Sequence, residues 1–317
     1  MPPSGKGKTV NAVIDAPEAA SLHQQLRNFV AAGSTEVTPH DEKVLDELAR
    51  ILPAGFPVYV ANTPKTAPDD VVRVALRLQE LGLTASPHVI ARRVVDARRL
   101  RDRLRALAAG GVRQVLLVAG DVAIPNPAFS STLELLDSGV VQDAGIQRVG
   151  VAGHPEGHPE VADEILWQAL ERKQAVARAT GLTMHIATQF GFDARSLEQF
   201  ERGLAGRGIT LPIHAGVAGP TPFLKLLKYA AHCGVGNSLK AVSGNALSLG
   251  RLPHLVTRAD EMLLGVYRAK QATGDSRIFA PHFFAFGGVL ETARWLRAVI
   301  EGSFELDSAG RGFVNKT

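Results

Sequence analysis

The 317-residue sequence has one cysteine, Cys233, so it can form neither an intramolecular disulfide nor a cysteine-based zinc site. It lacks any apolar run near the ~18–20 residues needed to span a bilayer. No apolar segment follows the basic N-terminal stretch, so no signal peptide is expected and the cytoplasm is the expected compartment. An excess of one charge is also missing. Lys+Arg 35 against Asp+Glu 31 leave +4, too small a surplus to argue for a polyanionic partner. With 45% hydrophobic and 21% charged residues the chain is not disordered, and its 31 Gly follow no collagen period.

Several nucleotide and metal motifs are incomplete. Gly234-Val-Gly236 reaches Leu239 where a dinucleotide fingerprint needs its third glycine. Gly5-Lys-Gly-Lys-Thr9 ends like a phosphate-binding loop, but Pro2 occupies the first glycine position. In His154-Pro-Glu-Gly-His158-Pro-Glu160, two prolines and a glycine prevent the one-face helical geometry of a zinc-binding HExxH motif. No metal is expected. No repeat of solenoid period is visible.

What is present is alternation. Eight short β-rich segments occur at 34–37, 58–61, 85–90, 114–118, 148–152, 184–190, 211–217 and 277–285. Helical patterns separate them. Leu100, Leu104 and Leu107 form one face; Val161, Ile165, Ala169 and Leu170 form another that closes near Gly181; Leu224, Leu227, Tyr229 and Ala230 begin a third. Residues 1–20 read as a tail, residues 21–32 as a first helix, and 219–276 as two or three helices. Eight strand–helix units over ~280 residues predict an α/β fold, a (β/α)8 TIM barrel with an N-terminal helical arm. Residues 21–317 would form one catalytic barrel. A doubly wound sheet is the alternative, and it more often uses five or six strands.

A barrel places its chemistry at the C-terminal ends of the strands, above an interior expected to be packed with apolar side chains. The strand ends here carry Glu36, Asn62, His88, Asp121, His154 and His158, Gln189, His214 and His282. Ionisable and amide groups collecting on one rim point to an enzyme. Glu36, in an otherwise apolar strand, reads as a general acid whose pKa is raised by burial, or else as a helix cap. Asp121 could serve the rim or cap a helix, and His88 could be a ligand or an interior histidine. Arg92, Arg93, Arg98, Arg99, Arg101, Arg103 and Arg105 read as one basic helix with an intact leucine face, a solvated surface and not a nucleic-acid site.

Taken in order, these motifs resemble the methylenetetrahydrofolate reductase family over about residues 33–298. Ser34-Thr-Glu-Val-Thr-Pro39 is similar to its opening strand, Ser86-Pro-His-Val89 to its third-strand histidine motif, and Leu117-Val-Ala-Gly-Asp121 to its strand-four Arg-Gly-Asp. Gly153-His-Pro-Glu-Gly-His-Pro-Glu160 resembles its Tyr-Pro-Glu-x-His-Pro-Glu loop, and Ala187-Thr-Gln-Phe-Gly-Phe-Asp193 its Thr-Gln-Phe-Phe-Phe-Asp. Gly216 followed by Phe223, and His282-Phe-Phe284, complete the series. The doubled His-Pro-Glu and short basic tail resemble a bacterial, single-domain, proteobacterial branch associated with demethylation of methylated donors, which suggests an oxidative direction.

The resemblance implies an FAD-dependent oxidoreductase of one-carbon metabolism and methionine biosynthesis. It would interconvert 5,10-methylenetetrahydrofolate and 5-methyltetrahydrofolate with NAD(P)H as electron partner. Carried over residue by residue, Glu36 and Asp121 would be catalytic. FAD would be held by His88, Ala119, Gly120, Asp121, Ala152, His154, His158 and Lys173, with Lys173 near its phosphates. The folate would meet Gln189, Phe223 and Phe286. Hydride transfer needs a cationic carbon, so a buried acid near the folate nitrogen is required, and Glu36 is the best-placed candidate.

The sequence departs from the family pattern at Ala119, at Ala61-Asn62, at His154 and at Gly287-Gly288. A flavin-independent version of the same reaction, a pterin-binding barrel methyltransferase and a folate- or nucleic-acid-binding protein are the alternatives. The expected ligands are folate and a nicotinamide dinucleotide, with no nucleic acid and no membrane; homo-oligomerisation is left open.

Overall fold

A computed structural model describes residues 16–191, 193–222, 259–307 and 312–315. Its centre is a closed barrel of eight parallel strands in sequential order. These are β1 (Ser34–Val37), β2 (Pro57–Val60), β3 (Thr84–Ile90), β4 (Gln114–Val118), β5 (Arg148–Gly153), β6 (Thr183–Thr188), β7 (Ile213–Ala218) and β8 (Ile278–Phe284). β8 closes on β1 through Ser34↔His282 and Thr35↔Phe283. The predicted (β/α)8 fold is therefore present, and all eight strands fall within a few residues of their expected places.

Among the described residues the helices are α1 (Ala16–Ala31), α2 (Leu45–Ile51), α3 (Pro68–Glu80), α4 (Ala97–Ala109), α5 (Thr132–Asp137), α6 (Val140–Asp143), α7 (Asp163–Thr180), α8 (Ala194–Gly206), α9 (Ala259–Ala272) and α10 (Val289–Glu301). A short antiparallel pair, β9 (Phe304–Leu306) and β10 (Phe313–Asn315), follows. None of the described helices is long and apolar enough to cross a membrane. The expected helix starting at Leu224, the expected glycine pattern at Gly234 and Cys233 lie outside the described residues.

Local rules account for the helices that flank the site. α3 starts with Pro68, whose missing N–H costs nothing at a first turn, and buries Val71, Val74, Ala75 and Leu78. In α4 the buried face is Leu100, Leu104, Leu107 and Ala108, and the Asp96 side chain caps the start by accepting from Arg98 N at 2.7 Å. This cap corrects the single basic helix expected from residue 92. Arg92 and Arg93 belong to a separate 3-10 turn, Ala91–Arg93, because the chain must turn before Asp96 can cap. α1 begins five residues earlier than expected.

Among the described residues, two apolar clusters differ sharply in size. The large one lies between strands and helices and includes Val58, Val60, Val115, Leu117, Val149 and Val151. The inner one holds only Tyr59, Leu116 and Ala187 among buried residues, with Val118 against them. The expectation of an apolar barrel interior is thus corrected. Tyr59, Ser34, His88, His185 and His282 occupy it, with hydrogen bonds between Ser34 Oγ and His282 Nδ1 at 2.8 Å and between Tyr59 Oη and His185 Nε2 at 2.7 Å. Two of these pairs, Ser34 with His282 and Tyr59 with His185, satisfy one another, while His88 Nε2 is buried without a partner among the described residues.

Candidate active site

Glu36 is half-buried on β1 and is the register partner of Tyr59. Burial, and then the nearby carboxylate of Asp41, push its carboxyl up to about 8. It is not a helix cap. That task falls to Thr38 and Asp41, whose Oδ2 accepts from both Thr38 N and Thr38 Oγ1 at 2.8 Å. Nor does Asp121 cap a helix: it is exposed in the long connection after β4, well before α5.

Opposite β1 across the barrel, the connection after β5 carries His154 and His158, with ring centroids 5.3 Å apart. Burial lowers the His154 pKa to about 4; His158 and Lys173 add to the effect, and Asp121 opposes it. These four side chains therefore share one electrostatic neighbourhood. Lys173, on α7, is 8% exposed, and burial pulls its amine down to about 8. It forms no ion pair among the described residues, so its charge is buried without a carboxylate partner among them.

β6 and β7 supply the neighbouring wall. Gln189 Oε1 accepts from Phe190 N at 3.1 Å, and its amide NH2 has no partner among the described residues. Gly216 N donates to Thr188 Oγ1 at 2.8 Å. A Cβ on Gly216 would come within 2.6 Å of the carbonyl oxygens of Thr188 and Gln189, so only glycine lets the two strands approach this closely. A cleft of about 380 Å³ opens here, lined by His154, Glu156, Thr188, Gln189, Gly216 and Met262 among others. Behind it Phe286, at φ +46, packs its ring 4.9 Å from Phe190 and 5.9 Å from Phe284.

A family model described as Methylenetetrahydrofolate reductase matches residues 37–238, well over half of the chain. The chain belongs to the methylenetetrahydrofolate reductase family. Among solved structures, an N-acetylneuraminate lyase from Fusobacterium nucleatum complexed with pyruvate is similar at 12% identity and a TM-score of 0.42, over 82% of this chain and 70% of that one, too remote to bear on activity.

The expected site residues of this reductase family member separate into three places. Asp121, His154, His158 and Lys173 gather together, with Ala119, Gly120 and Ala152 on the adjoining strand ends. Gln189 and His154 share the cleft. Glu36 stands across the barrel on β1, and His88 lies in the interior, its Nε2 buried without a partner among the described residues. Burial lowers the His88 pKa to about 4, so the ring is neutral. Phe223 lies outside the described residues. Among those residues no three His, Cys, Asp or Glu side chains converge as a metal site.

Two arginines just before α4 hold the rim connections, a role masked in the sequence by the basic run that continues into α4. Arg92 donates to Gly120 O at 3.1 Å and Ser130 O at 3.0 Å, clamping both ends of the connection that bears Asp121. Arg93 donates to Asn62 Oδ1 at 3.0 Å and to the carbonyls of Thr63, Pro64 and Thr66 at 2.6 to 3.1 Å. It fixes the connection after β2. The available signal was position: both arginines precede Asp96, the residue whose cap marks the true helix start.

Proposed function

We propose that this protein interconverts 5,10-methylenetetrahydrofolate and 5-methyltetrahydrofolate, with FAD bound at the barrel rim and NAD(P)H as electron partner. Glu36 carries the reading. Its carboxyl pKa, pushed up to about 8, keeps a proton on a carboxylic acid near neutral pH. Reduction of the methylene bridge requires such an acid, because protonating folate N10 opens the five-membered ring and leaves a cationic carbon at N5. FAD, when bound, would carry hydride between the nicotinamide and that carbon.

The chain's own groups fit the cofactor. Lys173, a buried cation without an ion pair, suits the diphosphate, and His154 and His158 flank the same position. The unpartnered His88 Nε2 offers a hydrogen bond from below. Gly120, at φ +91, together with Ala119 and Ala152, keeps bulky side chains off the rim, and Asp121 would stand beside the reacting rings. The free amide of Gln189 would read the pterin, with Phe223 and Phe286 on the aromatic tail of the folate. Residues 21–317 would act as one catalytic barrel.

One observation favours a flavin-free variant. Ala119 stands where the family pattern has arginine, although Arg92 brings a guanidinium to Gly120 O from the turn after β3. An absorption spectrum of the purified protein separates the two. Yellow protein that releases flavin on denaturation supports the FAD reading. Colourless protein that still oxidises NAD(P)H with methylenetetrahydrofolate selects the direct transfer. No NAD(P)H oxidation with either folate or menadione would overturn the reductase reading and favour a pterin methyltransferase. Steady-state rates measured both ways decide whether the oxidative direction is preferred.

A further inference from the structure

Apart from His88, the polar groups inside the barrel have no part in the chemistry above. Tyr59 Oη lies 2.7 Å from His185 Nε2 and accepts from Gln114 Nε2 at 3.3 Å. The His185 ring in turn lies 4.3 Å from that of His214. Space for this arrangement is built in, since a Cβ on Gly150 would sit 2.8 Å from His185 Nε2. Two atoms around the group, Ser86 Oγ and His214 Nδ1, are buried without a hydrogen-bond partner among the described residues. Buried polar atoms of this kind are ordinarily completed by ordered water.

The group has an upper and a lower end. Above, Tyr59 is the register partner of Glu36 on one side and of Ser86 on the other. Below, His214 stands near the start of β7, stacked at 5.5 Å on Phe279, which is 55% exposed at the start of β8. The barrel floor is thus within one side chain of solvent. The upper rim is where folate and flavin would lie, and a folate seated over Glu36 covers that side, so a proton arriving then needs a route from elsewhere.

The reaction needs such a route. In the reductive direction the carbon takes one hydride and N10 takes one proton, so each turnover leaves Glu36 as a carboxylate that must be recharged. We propose that Glu36 is recharged from beneath, through a hydrogen-bonded column of His214, His185, Tyr59, Ser86 and interior water that opens at the N-terminal face of the barrel. This rests on the reading of Glu36 as the acid. A solvent proton enters at His214; each ring nitrogen, hydroxyl or water releases one proton as it accepts another, and the Glu36 carboxylate takes the last. Only N–H and O–H bonds form and break, and nothing is oxidised. Burial holds both His185 and His214 below the ordinary imidazole pKa, so the rings pass protons on and do not trap them.

Tyr59→Phe tests the column because it keeps the ring and removes the hydroxyl. Folate turnover should fall about tenfold or more with KM unchanged, and the solvent deuterium isotope effect on kcat should rise. NAD(P)H oxidation by menadione, which does not use Glu36, should be untouched. Wild-type kcat and isotope effect in this variant would overturn the proposal, as would equal loss of both activities. If Tyr59→Phe does not fold, His214→Phe decides by the same readouts, since His214 Nδ1 has no protein partner to lose. Glu36→Gln separates the two ideas: if that variant still turns over folate, the acid assignment itself fails; if it is dead while the column variants behave as wild type, only the column fails.

Discussion

Tyr59 on β2 and His185 on β6, four strands apart, are joined by a 2.7 Å contact that crosses the barrel interior. Around it stand His88, His214 and His282, each pushed by burial below the ordinary imidazole value, to about 4, 4 and 3. Neutral histidines are therefore built into the barrel. In the unfolded chain they titrate near 6.5, so below that pH the unfolded state binds more protons than the folded one. Stability should be complete above pH 6.5 and decline as pH falls towards 4, with each such histidine contributing a loss on the order of 1–2 kcal/mol by pH 5. Urea unfolding midpoints at pH 7.5, 6 and 5 measure this. A flat profile would contradict the neutral interior.

Glu36 has the opposite sign. Its folded-state pKa of about 8 exceeds the ordinary glutamate value of 4.5, so the stability linked to its proton is present at pH 4.5 and is lost as pH rises through 8. Glu36→Gln has no carboxylate to bury. The variant should therefore unfold at higher urea than wild type at pH 8.5, by on the order of 2–4 kcal/mol, with the gap closing near pH 5. Folate turnover should be abolished in the same protein while reduction of bound flavin by NAD(P)H survives. A residue that costs stability and is indispensable to turnover has the profile of a catalytic group.

Lys173 makes a cofactor prediction independent of catalysis. Its amine is 8% exposed and unpaired among the described residues, so in the free protein it costs stability, and an anion beside it recovers that cost. Lys173→Met should leave the unfolding midpoint unchanged or higher while weakening FAD binding tenfold or more, about 1.4 kcal/mol. Fluorescence titration of flavin into the stripped protein reads this without any turnover. Undiminished flavin affinity would remove Lys173 from the cofactor site.

The order of strands and the residues on their ends were legible because a barrel strand is short, apolar and ends at a turn. Glu36, His154 and Gln189 could be read from such places. The interior was not legible, because Tyr59, Ser86 and His185 alternate with Val58, Val60 and Ile186, and that pattern does not say which face carries unusual chemistry. Helix periodicity similarly concealed Arg92 and Arg93. Their spacing continues the basic run of α4, and only the Asp96 cap separates them. That Lys173 shares a neighbourhood with Asp121 and His154 is a tertiary fact linking α7 to two separate rim connections.

Gly216 offers a test of how the cleft is held. An alanine there would meet the carbonyls of Thr188 and Gln189 at 2.6 Å, and backbone cannot yield as a flexible side chain does. β7 must then move away from β6, stretching the Gly216 N to Thr188 Oγ1 bond and displacing Gln189 from the cleft wall. Gly216→Ala should cost about 1–3 kcal/mol in stability, the usual range for overpacking. If Gln189 binds the pterin, KM for folate should also rise severalfold while flavin binding near Lys173, on α7, stays constant. Gln189→Ala should reproduce the KM effect without the stability loss. An unaltered KM in both variants would show that the pterin is held elsewhere on the rim.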